Sequence, residues 1–172
     1  MLRLMGAGAV ITAGTAIGFS MERELANRVK SLREIEHITD ILKAEIRYAG
    51  TPLQEVFRGT AERVEAPFSD MLREAADEME LRNGKTLGKI WGDCILRLPG
   101  DTGLTQADKR EFSHLGERLG YLDGQMQIRT LERYKEELER EQKEAEADYR
   151  QKVRVYRCLG FLGGVFLTLL LM

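Results

Sequence analysis

The chain has 172 residues, a formal net charge of −2 and two cysteines. This length suits one compact domain, and the slightly acidic balance excludes a strongly basic surface of the kind that binds nucleic acid. The mean hydropathy is −0.33 although both ends of the chain are apolar, so the middle of the chain is markedly polar.

The first apolar end is an uncharged run of 18 residues from Leu4 to Met21. As a helix it is about 27 Å long, close to the ~30 Å hydrocarbon core of a bilayer. We therefore expect residues 1–21 to form an N-terminal transmembrane helix. A cleaved signal peptide is the alternative, but the run is longer than an ordinary signal-peptide core. Gly14 and Gly18 have the GxxxG spacing that lets membrane helices pack closely.

Residues 22–157 are predicted to form a cytoplasmic helical bundle. Residues 22–49 contain neither glycine nor proline, and apolar residues recur there every three or four positions, which predicts one long amphipathic helix. Its apolar face carries Leu25, Val29, Leu32, Ile35, Ile38, Leu42 and Ile46. Its exposed face is predicted to carry Arg28, Lys30, Arg33, Glu34 and Lys43.

Four shorter helices are predicted next, and three of them follow a threonine start signal. A Thr-Pro pair at 51–52 and Thr86 are candidate helix N-caps, and Thr105 with Asp108 resembles a capping box. The apolar stripe that follows Thr86 centres on Trp91, which we expect to be the largest core residue. No segment alternates with a period of two, so the sequence predicts an all-α fold. We expect about six helices, of which the first and last extend into two transmembrane helices.

The last helix is predicted to begin near residue 124 and to carry an acidic segment. Its thin apolar stripe is predicted to consist of Met126, Leu131, Tyr134, Leu138, Ala145, Tyr149, Val153 and Tyr156. Between Glu132 and Asp148 there are eight acids and four bases. We interpret this segment as a solvated face and as a candidate surface for a basic partner. The candidate residues are Glu132, Glu136, Glu139, Arg140, Lys143 and Glu146. The i,i+4 pairs Glu136/Arg140, Glu139/Lys143 and Glu146/Arg150 are expected to support this face.

The second apolar end, residues 158–172, is uncharged and predicted to be the C-terminal transmembrane helix. Its 15 residues make a helix of only about 22 Å, so residues 153–157 must enter the headgroup region if it spans. The alternative is that this segment only dips into the membrane. Gly160 and Gly164 repeat the GxxxG spacing. The predicted membrane-interface anchors are Arg150, Lys152, Arg154, Tyr156 and Arg157.

The distribution of bases predicts the topology. Eight lysines and arginines flank the two apolar ends on the side of the middle domain, against Arg3 alone on the other side. Because positive residues concentrate on the cytoplasmic side of membrane proteins, we expect a cytoplasmic bundle and both termini outside.

The sequence offers little for catalysis. His37 and His114 are isolated, without a metal-ligand spacing around them. Cys94 lies in an apolar stripe, where burial raises a thiol pKa. Gly116, Gly120 and Gly124 have helical spacing, unlike a phosphate-binding loop. We therefore expect no enzyme activity, no catalytic residue, no metal, no cofactor and no small-molecule substrate.

Several segments resemble the stage III sporulation protein AB family of endospore-forming bacteria over essentially the whole chain. They are Met1-Leu2-Arg3-Leu4-Met5-Gly6-Ala7, Leu42-x-x-Glu45-Ile46-x-Tyr48-x-x-Thr51-Pro52-Leu53, Gly116-Glu117-x-Leu119-Gly120-x-x-Asp123-x-x-x-Gln127, and Leu159-Gly160-x-Leu162-Gly163-Gly164 with a Leu-Leu-Met end. The middle is also similar, more distantly, to the cytoplasmic domain of the inner-membrane platform protein of type II secretion and type IV pilus systems. The chain departs from those platform proteins in having one such domain and two spans.

The resemblance implies a subunit of a channel complex between mother cell and forespore, placed in the outer forespore membrane and facing the mother cell. It also implies a secretion-type ATPase and other channel-complex proteins as partners, and it leaves a homo-oligomer open. A non-enzymatic platform or scaffold that docks the ATPase is our first hypothesis. The alternative is a membrane-tethered helical regulator or sensor unrelated to transport.

Overall fold

The computed structural model describes residues 2–48, 51–82, 84–120 and 124–171, and it describes side chains at 16, 18–47, 51–82, 84–120, 124–153 and 155. Within these ranges the chain is all-α, as predicted, with six helices and a short 3₁₀ turn at Gly100–Thr102. The helices are α1 (Leu2–Tyr48), α2 (Leu53–Ala61), α3 (Phe68–Glu80), α4 (Leu87–Leu96), α5 (Gln106–Leu119) and α6 (Gly124–Leu171).

The two long helices, α1 and α6, pack against each other as an antiparallel pair. Arg33 contacts Glu146, and Arg47 contacts Glu132. The two contacts are 14 residues apart on both helices, so the pair keeps a constant register over this length. At about 1.5 Å per residue each helix is roughly 70 Å long, whereas the bundle covers only part of that length.

The apolar face of α1 is largely as predicted. Leu32, Ile35, Ile38 and Leu42 are buried, while the outlying members of the stripe are half-buried. Arg28 was expected on the exposed face, and this prediction is wrong. Its guanidinium reaches across to a buried carboxylate on α5, and that interaction compensates for its removal from water.

The apolar stripe of α6 differs from the prediction at its start. Met126 was expected inside but is 46% exposed, and Ile128 is buried instead. Because successive residues are about 100° apart around a helix, Met126 lies about 140° away from Leu131, whereas Ile128 shares its face. Leu131, Tyr134, Leu138 and Ala145 are buried, as expected.

The helix start signals are confirmed in two of three cases. The Thr86 hydroxyl accepts a hydrogen bond from the Lys89 backbone N–H at 3.3 Å. Thr105 and Asp108 form a complete capping box at the start of α5. By contrast, α2 begins one residue later than predicted, with Pro52 rather than Thr51 at the N-cap position and no side-chain cap.

Trp91 is fully buried in the core, as predicted. Its indole N–H donates to the Phe112 carbonyl at 2.8 Å, and its ring centroid lies 5.1 Å from those of both Phe57 and Phe112. This satisfied donor and the edge contacts stabilise the junction of α2, α4 and α5.

Small residues bring α4 and α5 into close contact. A Cβ atom at Gly88 would lie 2.8 Å from Glu117 Cγ, and one at Gly92 would lie 2.9 Å from Ser113 Oγ. At Gly116 a Cβ would overlap the Trp91 side chain. Gly116 and Gly120 of the predicted glycine face therefore pack against α4, whereas Gly124 begins α6 and an added Cβ there would meet nothing within 4 Å.

Among the residues that the structure describes, none of the helices is long and apolar enough to cross a membrane. The predicted spans, residues 1–21 and 158–172, lie almost entirely outside the described side chains, and so do Gly14, Gly160 and Gly164. Gly18 is described, and it is buried. The membrane crossings remain a prediction.

Candidate partner surface

The face of α6 that meets α1 carries a ladder of polar contacts beside its apolar stripe. Lys135 bridges to Asp40 at 2.6 Å and to Glu36 at 3.5 Å. The Gln142 amide donates to the Leu32 carbonyl at 3.1 Å. Hydrogen bonding to Asp40 raises the pKa of Lys135.

Two members of the predicted partner surface belong to this ladder. Glu132 accepts from Arg47 at 3.1 Å and lies 3.7 Å from Lys43. Glu146 accepts from Arg33 at 2.6 Å, and that hydrogen bond lowers the pKa of Glu146. Both carboxylates therefore face α1, which already provides their counter-charges.

The remaining four members lie on the outward face of α6. Glu136, Glu139, Arg140 and Lys143 are all exposed. Within the described part of the chain, none of the four makes a hydrogen bond or an ion pair closer than 4 Å. They form a strip of mixed charge that needs no rearrangement of the bundle to meet another molecule. We call these four residues the outer strip.

The ion pairs along α6 differ from the predicted set. Of the three predicted pairs, only Glu146–Arg150 is present, at 3.8 Å. Two other i,i+4 pairs form instead: Arg133–Glu137 at 3.5 Å and Asp148–Lys152 at 2.6 Å. Isolated pairs of this kind contribute only a few tenths of a kcal/mol, so they leave the outer strip available.

A buried ion pair joins α1 to α5. Arg28 Nε and Nη2 donate to the two carboxylate oxygens of Asp108 at 2.8 and 2.9 Å, and the Asp108 side chain is only 2% exposed. Burial raises the pKa of Asp108, but the hydrogen bonds from Arg28 and Thr105 outweigh this and hold it below its usual value. Sequence reasoning identified Asp108 as a cap but had no signal for its distant partner.

A cleft of about 280 Å³ between α5 and α6 lies next to this pair, and Glu111, Tyr134, Arg140 and Glu141 contribute to its lining. Burial, followed by the charges of Asp108 and Glu111, raises the pKa of Glu141. Burial also raises the pKa of Tyr134 well above its usual value. This is a crowded group of acids beside a structural ion pair.

The residues considered for chemistry are dispersed. Cys94 is buried in the core, and burial raises the pKa of its thiol to about 11. His37 is exposed, and His114 Nδ1 lies 3.1 Å from a Glu117 carboxylate oxygen on the surface of α5. In the described ranges, no three histidine, cysteine, aspartate or glutamate side chains are placed to hold a metal ion.

The predicted membrane-interface anchors are only partly described. The Arg150 side chain is 75% exposed, and Lys152 bonds to Asp148. The side chains of Arg154, Tyr156 and Arg157 lie outside the described residues.

These features define a helical protein whose two longest helices run antiparallel and extend beyond a small bundle. A family model described as stage III sporulation protein AB matches residues 3–172. The chain therefore belongs to the stage III sporulation protein AB family. It is 28% identical to stage III sporulation protein AB of Bacillus subtilis (strain 168), over 179 residues that cover 100% of both chains.

A solved structure of stage III sporulation protein AB has the same fold. It superimposes with a TM-score of 0.64 at 21% sequence identity, over 72% of this chain and 96% of that chain. The resemblance of the quoted sequence segments to this family is thus confirmed.

Proposed function

We propose that this sporulation-family protein is a non-enzymatic membrane platform subunit of a secretion-like channel complex between mother cell and forespore. In this proposal residues 1–21 and 158–172 anchor it in the outer forespore membrane. The bundle, residues 22–157, lies in the mother-cell cytoplasm and docks a secretion-type ATPase.

The register of the α1–α6 pair is the observation that carries the proposal. If the spacing of Arg33–Glu146 and Arg47–Glu132 is continued along both helices, residue 21 falls opposite residue 158. These are the positions at which the two uncharged segments begin when approached from the bundle. Both segments would thus leave water at the same level, as two helices that enter one bilayer must.

The same helix pair supports the proposed placement of the bundle. The contacts that attach the bundle to α1 start near Glu24, whose carbonyl oxygen would be overlapped by an added Cβ at Gly103, and continue at Asn27, whose amide donates to the Asp101 carbonyl at 2.8 Å. Residues nearer the N-terminus would therefore form a two-helix stalk with the last part of α6. The excess of bases beside the apolar segments favours a cytoplasmic side for the bundle.

The outer strip is the surface that we propose for docking a partner. Its four side chains are exposed, whereas Glu132 and Glu146 are engaged with α1. Charged residues at the rim of an interface mainly set the association rate and the choice of partner. Substitutions in the outer strip should therefore weaken docking without unfolding the bundle.

The test is co-purification of a secretion-type ATPase from detergent-solubilised membranes of sporulating cells. Glu139→Lys should reduce its recovery, because it reverses one charge of the strip. Glu62→Lys is the matched control, since Glu62 is also an exposed glutamate but lies away from α6. Recovery of the wild type without the ATPase, together with normal sporulation of a deletion strain, would contradict the proposal.

A further inference from the structure

The cleft between α5 and α6 contains one buried polar group that the bundle itself does not use. Tyr134 is only 5% exposed, and its ring stacks on that of Phe112 with centroids 6.4 Å apart. Its hydroxyl makes no hydrogen bond with a described residue, although every fully buried polar side-chain atom in the described ranges has a partner. The small exposed part of Tyr134 therefore includes its hydroxyl, which opens into the cleft that this side chain lines.

Two carboxylates in the same cleft also lack a partner. Glu111 reaches the cleft from α5 and Glu141 from α6, and neither makes a hydrogen bond or an ion pair with another described residue. Glu137, the third acid of the lining, lies 3.5 Å from Arg133. Because Tyr134, Glu137 and Glu141 are spaced by three and four residues, they lie on one face of α6. The cleft thus combines a buried hydroxyl with acids from two helices.

The charge of this cleft is unfavourable in the free protein. Burial, followed by the charges of Asp108 and Glu111, raises the pKa of Glu141, so the ionised carboxylate is disfavoured there. Arg118 and Arg140 also line the cleft, but neither guanidinium forms an ion pair with an acid among the described residues. A ligand that supplies a positive charge would relieve this arrangement, and carboxylates perturbed in this way concentrate at binding sites.

The size of the cleft and its acceptors select an arginine side chain. Its volume of about 280 Å³ lies just below the ~300–1,000 Å³ of small-molecule pockets, which suits one long side chain. A guanidinium carries five N–H donors in one plane, enough for the Tyr134 hydroxyl and two carboxylates at once. A lysine ammonium is a point charge with fewer donors. A metal ion is disfavoured, because the acids of the described ranges are not placed to hold one.

The cleft is continuous with the outer strip, because Arg140 belongs to both. A protein that docks on the outer strip thus places its own side chains at the mouth of the cleft. We propose that the cleft binds an arginine side chain of the docked partner protein, with the Tyr134 hydroxyl, Glu111 and Glu141 as its ligands. Buried arginines commonly dominate the affinity of protein interfaces. This inference deepens the proposed docking role of the bundle and rests on it for the source of the arginine.

The site itself is tested without a partner, by NMR of the full chain in a neutral detergent with isotope-labelled tyrosine. The probe is N-acetyl-arginine amide, and N-acetyl-citrulline amide is a neutral control of nearly the same shape. The Tyr134 ring signal, identified by its absence in Tyr134→Phe, should shift with a Kd on the order of 10 mM for the arginine probe and should not shift with citrulline. Glu141→Gln should weaken binding about tenfold, whereas Glu144→Gln, at an exposed acid on the same helix, should leave it unchanged.

The source of the arginine is tested by co-purification of the secretion-type ATPase from membranes of sporulating cells. Glu141→Gln and Tyr134→Phe should each reduce its recovery about tenfold, as for one hydrogen bond to a charged group. Neither substitution threatens the fold, because the first removes an unfavourable charge and the second keeps the ring contact with Phe112. Glu144→Gln should give the recovery of the wild type.

Two outcomes would overturn the inference. One is an equal shift of the Tyr134 ring signal with the arginine and citrulline probes. The other is equal recovery of the ATPase by the wild type and both cleft variants while Glu139→Lys reduces it, which would exclude the cleft and leave the proposed docking intact. A shift with the arginine probe alone, without recovery of the ATPase by the wild type, supports the arginine site and contradicts the proposed docking of the ATPase.

Discussion

The two main helix contacts of this protein are built on different principles. Between α4 and α5, glycines let the backbones approach so closely that an added methyl group at Gly116 would overlap Trp91. Between α1 and α6, an apolar stripe is flanked by partly exposed ion pairs such as Arg47–Glu132 and Lys135–Asp40. The first contact depends on shape, and the second spreads many small contributions over a long distance.

The difference suggests a division of roles. A contact fixed by shape resists change and holds the bundle in one arrangement. A long ladder of weak contacts tolerates the loss of any one of them, and it keeps α1 and α6 in one register along the bundle. The Arg28–Asp108 pair connects the two contacts, because it joins α5, which packs on α4, to α1, which packs on α6.

Breaking the Arg28–Asp108 ion pair should have the largest effect on Tm. Asp108→Asn leaves Arg28 without a counter-charge in a partly buried position, at a cost of about 3 kcal/mol. This corresponds to a fall in Tm of roughly 6–12 °C. The fluorescence of Trp91, the single tryptophan, reports unfolding of the full chain in detergent. Asp101→Asn, at an exposed carboxylate, should leave Tm within about a degree.

The stabilisation contributed by Asp108 also depends on pH. Since its folded pKa lies below its usual value of 3.8, its stabilisation is present above about pH 3.8. It is lost as the pH falls through the folded pKa. The Tm difference between wild type and Asp108→Asn should therefore shrink below pH 3.8, and a difference that grows there would contradict the ion pair.

Filling the close contact between α4 and α5 should have the second-largest effect on Tm. Gly116→Ala places a methyl group against Trp91, and overpacking of this kind costs about 1–3 kcal/mol. Gly59→Ala is the control, because nothing lies within 4 Å of the added Cβ and alanine favours a helix. The first variant should lower Tm and the second should raise it slightly. Equal effects of the two substitutions on Tm would show that the contact between α4 and α5 does not depend on shape.

Removing one contact of the ladder should cost little. Glu132→Gln loses the ion pairs to Arg47 and Lys43, both partly exposed, and should lower stability by about 0.5 kcal/mol. The measurement is Tm at low and high salt, since screening reduces exposed ion pairs. Glu139→Gln in the outer strip should give no salt-dependent change. A loss of stability in Glu132→Gln as large as that in Gly116→Ala would contradict the contrast between the α1–α6 and α4–α5 contacts.

The smallest effect, of opposite sign, is expected in the cleft between α5 and α6. Burial and the nearby acids raise the folded pKa of Glu141 above its usual value of 4.5, so its ionised form opposes folding as the pH rises through that range. Glu141→Gln should therefore raise Tm at pH 7 but not at pH 4. Glu144→Gln, at an exposed acid on the same helix, should show no such dependence on pH.

Much of the fold could be predicted from the sequence because its signals are local. The spacing of apolar residues located α1. Thr86 and the Thr105–Asp108 capping box located two helix starts, and Trp91 was identified as a core residue. The start of α2 was predicted one residue too early, because a Thr-Pro pair such as 51–52 fits two adjacent cap positions equally well.

The candidate site was harder to predict because it depends on contacts between distant segments. Arg28 and Asp108 are 80 residues apart, and no spacing rule connects them. Likewise, six charges on α6 looked equivalent in the sequence, and only the position of α1 distinguishes Glu132 and Glu146 from the outer strip. Sequence periodicity assigns a residue to a helix face, but the partner helix decides which faces stay exposed.

The central claim, that both ends of the chain enter one membrane with the bundle on its cytoplasmic side, is tested most directly by cysteine labelling in cells. The background carries Cys158→Ala and keeps Cys94, which is buried and whose thiol pKa is raised to about 11. In non-sporulating cells made to express the chain, where no forespore encloses the far side of the membrane, a membrane-impermeant maleimide should label Met172→Cys in intact cells, and Glu139→Cys only after permeabilisation. Labelling of Glu139→Cys in intact cells, or protection of Met172→Cys there, would contradict the account.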